Sequence, residues 1–211
     1  MPITKIALAT RNKGKIAELS RLLQPRGIQV TGLEAYPDSG EIPETGASFA
    51  ENALIKARAV AALTGLPALA DDSGLMVDAL AGAPGIFSAR YGDDWESLPG
   101  ETRDQRNIRK LLHNMRKIPK EDRACHFETA IAVATPGGTT EVATGTWAGR
   151  LLTAPLGENG FGYDPVFWDP ERNKSAAQMS GAEKNRVSHR AAALEALLAR
   201  WPDFEARAAR E

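Results

Sequence analysis

Apolar positions recur along this chain with two periods, dividing it into short strands and amphipathic helices. Residues 3–9 (I-T-K-I-A-L-A) form a strand pattern whose second half is continuously apolar. Ile16, Leu19, Leu22 and Leu23 then fall at helical spacing, and Pro25 and Gly27 stop that helix. A second strand is predicted over 28–33. A polar loop over 35–46 follows, carrying Asp38, Glu41 and Glu44. Ser48-Phe49-Ala50-Glu51 has the form of a capping box and opens a helix that runs to about Leu63 and closes at Gly65. Its apolar side includes Phe49, Ala53, Leu54, Ala57, Val60 and Ala61, while Asn52 and Lys56, four apart, share a face.

The next strand begins as a short apolar run over 67–70 and breaks into Asp71-Asp72-Ser73-Gly74. Apolar character resumes at Leu75, and a Gly/Pro loop leads to Arg90. Residues 93–102 are polar and read as a mobile loop. A helix over 102–115 turns Ile108, Leu111, Leu112 and Met115 inward. Strict alternation from Cys125 through Phe127, Thr129, Ile131 and Val133 marks a half-buried strand. Pro136-Gly137-Gly138 turns it, residues 141–146 return as its hairpin partner, and residues 147–151 continue the sheet. Residues 169–178 read as a polar loop. Ser180-Gly181-Ala182-Glu183 is a second capping box, opening one last helix to about Arg200 with Lys184, His189 and Arg190 on its early turns. Antiparallel strands in the middle of an α/β chain argue against a purely doubly wound parallel sheet.

Composition narrows the class. With 211 residues the chain fits one large domain or two small lobes, and 43% hydrophobic residues is ordinary for a globular protein. A formal charge of −1 gives no whole-protein field for nucleic acid or an anionic membrane, so a polyanionic ligand must meet a local basic cluster. The single cysteine, Cys125, excludes an internal disulfide or a Cys-based zinc cluster and reads as buried filler. No apolar run approaches the ~20 residues that span a bilayer, and no signal peptide is recognisable, so a cytoplasmic protein is expected.

Three stretches carry candidate chemistry. Asp71 and Asp72 at a buried strand end are costly to desolvate without a partner, and a hard divalent cation is a natural one, which makes Asp72 a candidate metal ligand or base. The same four residues also suit a solvated turn. Thr10, Arg11, Asn12, Lys13, Gly14 and Lys15 lie between a strand end and a helix start, where free N–H groups and the helix dipole suit a phosphate. An ordinary N-cap with exposed lysines is equally compatible, and the Walker A pattern is absent. In G-E-N-G-F-G-Y-D-P-V-F-W (157–168), glycines permit close backbone approach and aromatics offer a face for a base. Taken alone, the stretch reads better as a Gly-rich turn before an aromatic core strand, and the spacing is no dinucleotide fingerprint.

The ordered set decides between these readings. T-R-N-K-G-K, E-T-G-x-S-F-x-E-N-A-x-x-K-A, A-D-D-S-G-L, G-A-P-G-I-F-S-A-R-Y and F-G-Y-D-P-x-F, ending in K-x-x-x-x-S-H-R, closely resemble the inosine triphosphate pyrophosphatase family from Ile6 to about Ala193. The resemblance implies a single domain over 1–211 of α/β fold, in which a long curved mixed sheet and flanking helices form two lobes around a central nucleotide cleft. It further implies Mg²⁺, a homodimer, and hydrolysis of purine nucleoside triphosphates such as dITP, ITP and XTP to monophosphate and pyrophosphate, which would cleanse the nucleotide pool. Carried over by residue, Thr10 to Lys15 and Lys56 match triphosphate contacts, Asp72 the metal ligand and general base, and Ser73 a substrate contact. Phe161, Gly162, Tyr163 and Asp164 match the nucleoside segment, and Lys184, His189 and Arg190 residues at the base. Many relatives place a metal-binding Glu three residues before the Gly of E-T-G. Here that place is Pro43, which leaves Glu44 as the chosen ligand, with Glu41 the alternative. A Maf-like pyrophosphatase acting on other modified nucleotides and a non-catalytic nucleotide sensor are the rival readings.

Overall fold

The computed structural model describes residues 3–36, 40 and 42–211. Seven strands form one sheet in the order β2-β1-β3-β4-β5-β6-β7. These are β1 (Lys5–Leu8), β2 (Gln29–Gly32), β3 (Ala68–Val77), β4 (Ala124–Ala134), β5 (Thr140–Leu151), β6 (Phe167–Asp169) and β7 (Lys174–Ser175). β1 runs parallel to both β2 and β3, whereas β6 is antiparallel to β5 and β7. The sheet is therefore mixed, as the central alternating strands predict. The helices are α1 (Lys13–Leu23), α2 (Phe49–Thr64), α3 (Arg103–Asn114), α4 (Gly181–Val187), α5 (His189–Ala199) and α6 (Trp201–Ala208). None of the described helices is long and apolar enough to cross a membrane.

The chain divides into two compact units. Unit 1 takes the described residues up to Asp72, then 129–145 and 189–211. Its core joins Ile6, Leu8, Leu19, Leu23 and Leu69 to Ile131, Val133, Leu194, Leu197 and Phe204. Unit 2 takes 73–128 and 146–188. Its core joins Leu75 and Val77 to Leu111, Met115, Phe127, Trp147, Val166 and Phe167.

Three predicted features differ. β3 does not break at Asp71; it continues through Asp71, Asp72 and Ser73 to Val77. The predicted last helix, to about Arg200, is two helices, and a third follows it. Ser188 adopts extended geometry (φ −72°, ψ 153°) between α4 and α5, and Pro202 restarts the chain as α6 after Arg200. Burial favours that restart, because Phe204 is wholly buried in the unit 1 core. The stretch 169–178 contains β7 and a 3₁₀ turn over Ala176–Gln178 rather than loop alone. The predicted loop 93–102 is irregular as expected, yet it is tied to α3 by Asp93–Arg106, Asp94–Lys110 and Glu101–Arg109 ion pairs.

Close packing of α5 in unit 1 depends on a glycine. A Cβ at Gly145 of β5 would collide with the His189 carbonyl and lie 2.5 Å from the Ala193 N, so the first turn of α5 rests directly on the strand backbone.

Candidate active site

The two carboxylates of β3 are buried, and successive strand side chains point to opposite faces. Asp71 accepts hydrogen bonds from Thr129 Oγ1 at 2.6 Å and Arg190 Nε at 3.1 Å, and it is ion-paired with Lys15. Arg190 in turn pairs with Glu18. Two cations and two carboxylates thus share one buried cluster, so no member carries an uncompensated charge. Burial alone would raise the Asp71 carboxyl, but Arg190 and Lys15 outweigh it and hold the group well below the usual carboxylate range. This pairing is why β3 can continue through Asp71 without breaking.

Asp72 meets a different set, all from α2 and the loop before it. Asn52 Nδ2 donates to its Oδ2 at 3.3 Å and Lys56 Nζ to its Oδ1 at 2.7 Å. Lys56 also donates to Glu44 Oε1 at 2.9 Å and to the Asp71 carbonyl at 3.1 Å. The Asn52/Lys56 spacing places both donors on one helix face, one turn apart. Burial raises the Asp72 carboxyl above its ordinary value, only partly opposed by Lys56. Lys56 is disfavoured by burial, yet Asp72 and Glu44 raise it above an ordinary lysine and keep it charged.

The donor set fits a hard divalent cation. Glu44 and Asp72 each place a carboxylate oxygen within 2.9 Å of one ammonium, so two hard oxygens already converge on a single positive charge. Among the described residues no group of three His, Cys, Asp or Glu side chains gathers to form an all-protein metal cage. One or two carboxylates completed by water and phosphate oxygens is the usual arrangement for Mg²⁺. Pro43 offers no side-chain oxygen, and Glu41 and Asp38 lie outside the described residues.

The predicted phosphate segment is a capped helix start. Asn12 Oδ1 accepts from the backbone N–H groups of Gly14 (2.9 Å) and Lys15 (3.2 Å), and Thr10 Oγ1 accepts from the Asn12 N–H at 3.1 Å. Arg11 and Lys13 are exposed and line a recess of about 380 Å³ with Ile16, Ala17 and Glu34. Lys15 is turned to Asp71, and burial lowers its ammonium despite that partner.

Unit 2 holds the other predicted residues. Ser73 follows Asp72 on β3 and is half-buried. Asp164 is buried and accepts from the Phe161 N–H at 2.9 Å and from Lys184 Nζ at 2.6 Å. Lys184 Nζ lies 4.6 Å from the centre of the Phe161 ring, a cation–π contact. The Gly162 N–H donates to Asp104 at 2.7 Å. Tyr163 is buried, and its hydroxyl donates to the Ser88 carbonyl at 2.9 Å; burial pushes the phenol up, so it stays protonated.

The predicted residues therefore fall into two groups. Glu44, Lys15, Lys56, Asp72, His189 and Arg190 belong to unit 1; Ser73, Phe161 to Asp164 and Lys184 belong to unit 2. Lys184 does not share a helix with His189 and Arg190, because Ser188 separates α4 from α5. Arg190 is 1% exposed and its guanidinium is engaged by Asp71 and Glu18. Sequence reasoning placed Asn52 beside Lys56 without giving it a role. Glu18, Thr129 and Asp104 were not singled out: each is one polar residue in an ordinary helix or strand, and only tertiary contact reveals its partner.

Known proteins share this arrangement of sequence and fold. A protein of Nitratidesulfovibrio vulgaris called dITP/XTP pyrophosphatase is 54% identical over 94% of this chain and 96% of its own length. A protein of the same name from Geobacillus kaustophilus is 46% identical over 95% of each. The solved Ham1 protein of Staphylococcus aureus superposes with a TM-score of 0.77 at 37% identity, covering 96% of this chain and 99% of that one. A solved nucleoside-triphosphatase, dITP/XTP pyrophosphatase, of Mycobacterium abscessus gives 0.70 at 46% identity over 92% and 98%. The Ham1 family profile matches residues 6–200. Likeness of this extent, in sequence and in fold together, leaves one assignment: the chain belongs to the Ham1 family.

Proposed function

We propose that this protein hydrolyses non-standard purine nucleoside triphosphates, dITP, ITP and XTP, to the monophosphate and pyrophosphate. The observation that carries this reading is the buried Asp72 carboxylate, held on one oxygen by Asn52 and on the other by Lys56, which also binds Glu44. A ligand-binding scaffold has no need of such a carboxylate, whereas a hydrolase needs a base beside concentrated positive charge. The names of close relatives support the substrate class.

Water attacks the α-phosphorus, the bond to the α,β-bridging oxygen breaks, and pyrophosphate leaves. Asp72, its carboxylate held in place by Asn52 and Lys56, takes the proton that the attacking water loses. Asp72 and Glu44 would hold Mg²⁺, which would supply charge neutralisation to the phosphate oxygens. Lys56 keeps the two carboxylates together and adds a fixed positive charge. In the segment Thr10, Arg11, Asn12, Lys13, Gly14 and Lys15, the exposed Arg11 and Lys13 offer further cations to the phosphates. In unit 2 the Phe161 ring offers a stacking face, and the Lys184 ammonium beside it is a donor suited to a 6-oxo purine. A 6-amino group cannot accept that bond, at a cost of about 1–3 kcal/mol per lost bond. Arg190 acts from behind, holding Asp71 and through it Lys15. A homodimer working in the cytoplasm completes the proposal, on the resemblance alone; light scattering in solution tests the dimer.

Pyrophosphate release with Mg²⁺ from ITP, dITP, XTP, GTP, ATP, dUTP and dTTP tests the reading. Preference for the first three by about 10² or more in kcat/KM is expected. Pyrimidine-biased activity would favour a Maf-like enzyme, and tight binding without release would favour a sensor.

A further inference from the structure

We propose that Asn52 is a positioning residue of this hydrolytic site, setting the Glu44 loop against Asp72; this rests on the hydrolase reading above. Asn52 sits in the second turn of α2 and is wholly buried. Both ends of its amide are in use. Oδ1 accepts from the Gly46 N–H at 2.8 Å, and Nδ2 donates to Asp72 Oδ2 at 3.3 Å. One side chain thereby joins the backbone two residues beyond Glu44 to the base on β3.

The rest of the loop is fastened to the same helix start. The Ala47 N–H donates to Glu51 Oε2 at 2.7 Å, and Ser48 Oγ caps the Glu51 N–H. Gly46 itself has no room for a side chain. A Cβ there would fall 2.6 Å from Glu51 Cβ, 2.8 Å from Asn52 Oδ1 and 2.9 Å from the Asn52 N. The loop backbone therefore lies flush on α2, and the Asn52 amide fills the space between it and Asp72. With Lys56 on Oδ1 and Asn52 on Oδ2, the Asp72 carboxylate cannot rotate without losing a donor. An amide is the short side chain that offers an acceptor to a backbone N–H and a donor to a carboxylate at once. Having no exposed atom and no spare end, Asn52 acts on Asp72 and Glu44, not on the substrate.

The test uses the full chain with two substitutions, Asn52→Ala and Gly46→Ala. Asn52→Ala removes both ends of the link, and Gly46→Ala lifts the loop while leaving the amide and Asp72 chemically intact. Mn²⁺ binding to each protein alone is read by the spectroscopic signal of the free ion. ITP hydrolysis supplies kcat and KM separately, and thermal melting reports folding. Both variants are expected to stay folded at assay temperature, to weaken Mn²⁺ binding about fivefold or more, and to lower kcat about tenfold or more with KM within about threefold. Wild-type Mn²⁺ affinity and kcat in folded Asn52→Ala overturns the proposal, as does a loss confined to KM. Should Asn52→Ala not fold, Gly46→Ala decides alone, and unchanged Mn²⁺ affinity and kcat there overturn it. Absence of pyrophosphate release by the unaltered protein from every purine triphosphate would instead sink the hydrolase reading, which the Mn²⁺ measurement separates from this one.

Discussion

Asp71 and Asp72 are consecutive residues on one buried strand, yet their carboxyl groups are displaced in opposite directions. Burial raises both. At Asp71 the Arg190 and Lys15 charges reverse the effect, while at Asp72 the single close ammonium of Lys56, shared with Glu44, does not. Asp71 is thereby held as an ion to lower pH than its neighbour.

Asp72→Asn should keep the fold and lose turnover. The amide preserves shape and a hydrogen bond to Lys56 but cannot accept water's proton, so kcat is expected to fall by about 10²–10⁴. Steady-state ITP hydrolysis beside a thermal melt checks this. Near wild-type kcat would remove Asp72 from its assigned role.

Asp71→Asn should do the reverse, costing stability first. Removing this carboxylate leaves Arg190 and Lys15 short of their partner in a buried cluster, which typically costs about 3–5 kcal/mol. The sign of its pH dependence follows from the lowered carboxyl. The folded value lies below the ordinary 3.8, so Asp71's contribution is complete above that value and is lost as pH falls through the lower, folded one. The Tm gap between wild type and Asp71→Asn should therefore be level from neutral pH down to about pH 5 and shrink below about pH 4. A gap that widens on acidification would contradict the pairing.

Much of this was legible in the residues. Helical spacing located α1, α2 and α3, and alternation located β4, because one-sided burial imposes those periods; the Pro-Gly-Gly turn located β5 as its partner. The ordered motifs pointed to Asp72, Lys56 and Glu44. The continuation of β3 was hidden, because Asp-Asp-Ser-Gly has the local chemistry of a turn and only Lys15, Arg190 and Thr129, far away in sequence, permit a strand there. The break at Ser188 was hidden for a similar reason. Ser188 is a single polar residue inside a helical pattern, and the close approach of α5 to Gly145 is seen only in the fold. The engagement of Arg190 with Glu18 needed the fold as well, since 172 residues separate them.

Gly145→Ala tests that packing. The added methyl meets the His189 carbonyl and the Ala193 N of α5, backbone atoms that cannot swing aside. Destabilisation of about 1–3 kcal/mol is expected from overpacking, read by chemical denaturation. An unchanged midpoint would show that α5 has room to shift.

Phe161→Ala tests the nucleoside group. Loss of a stacking face typically costs about 1–3 kcal/mol per base, so KM for ITP should rise about tenfold while kcat changes less. An unchanged KM would confine Phe161 to its contact with Lys184.

The way unit 1 is assembled bears on when it can form during synthesis. Ile6 and Leu8 of the first strand share a core with Leu194, Leu197 and Phe204, and the chain between them supplies all of unit 2, together with residues 129–145 of unit 1, before α5 is made. A ribosome-bound chain has therefore made every residue of the second unit while the first still lacks two helices and the guanidinium that balances Asp71. Its nascent strands must wait with an open apolar face. A stalled chain ending before residue 189 should be markedly more prone to chaperone capture and proteolysis than one extended past Phe204.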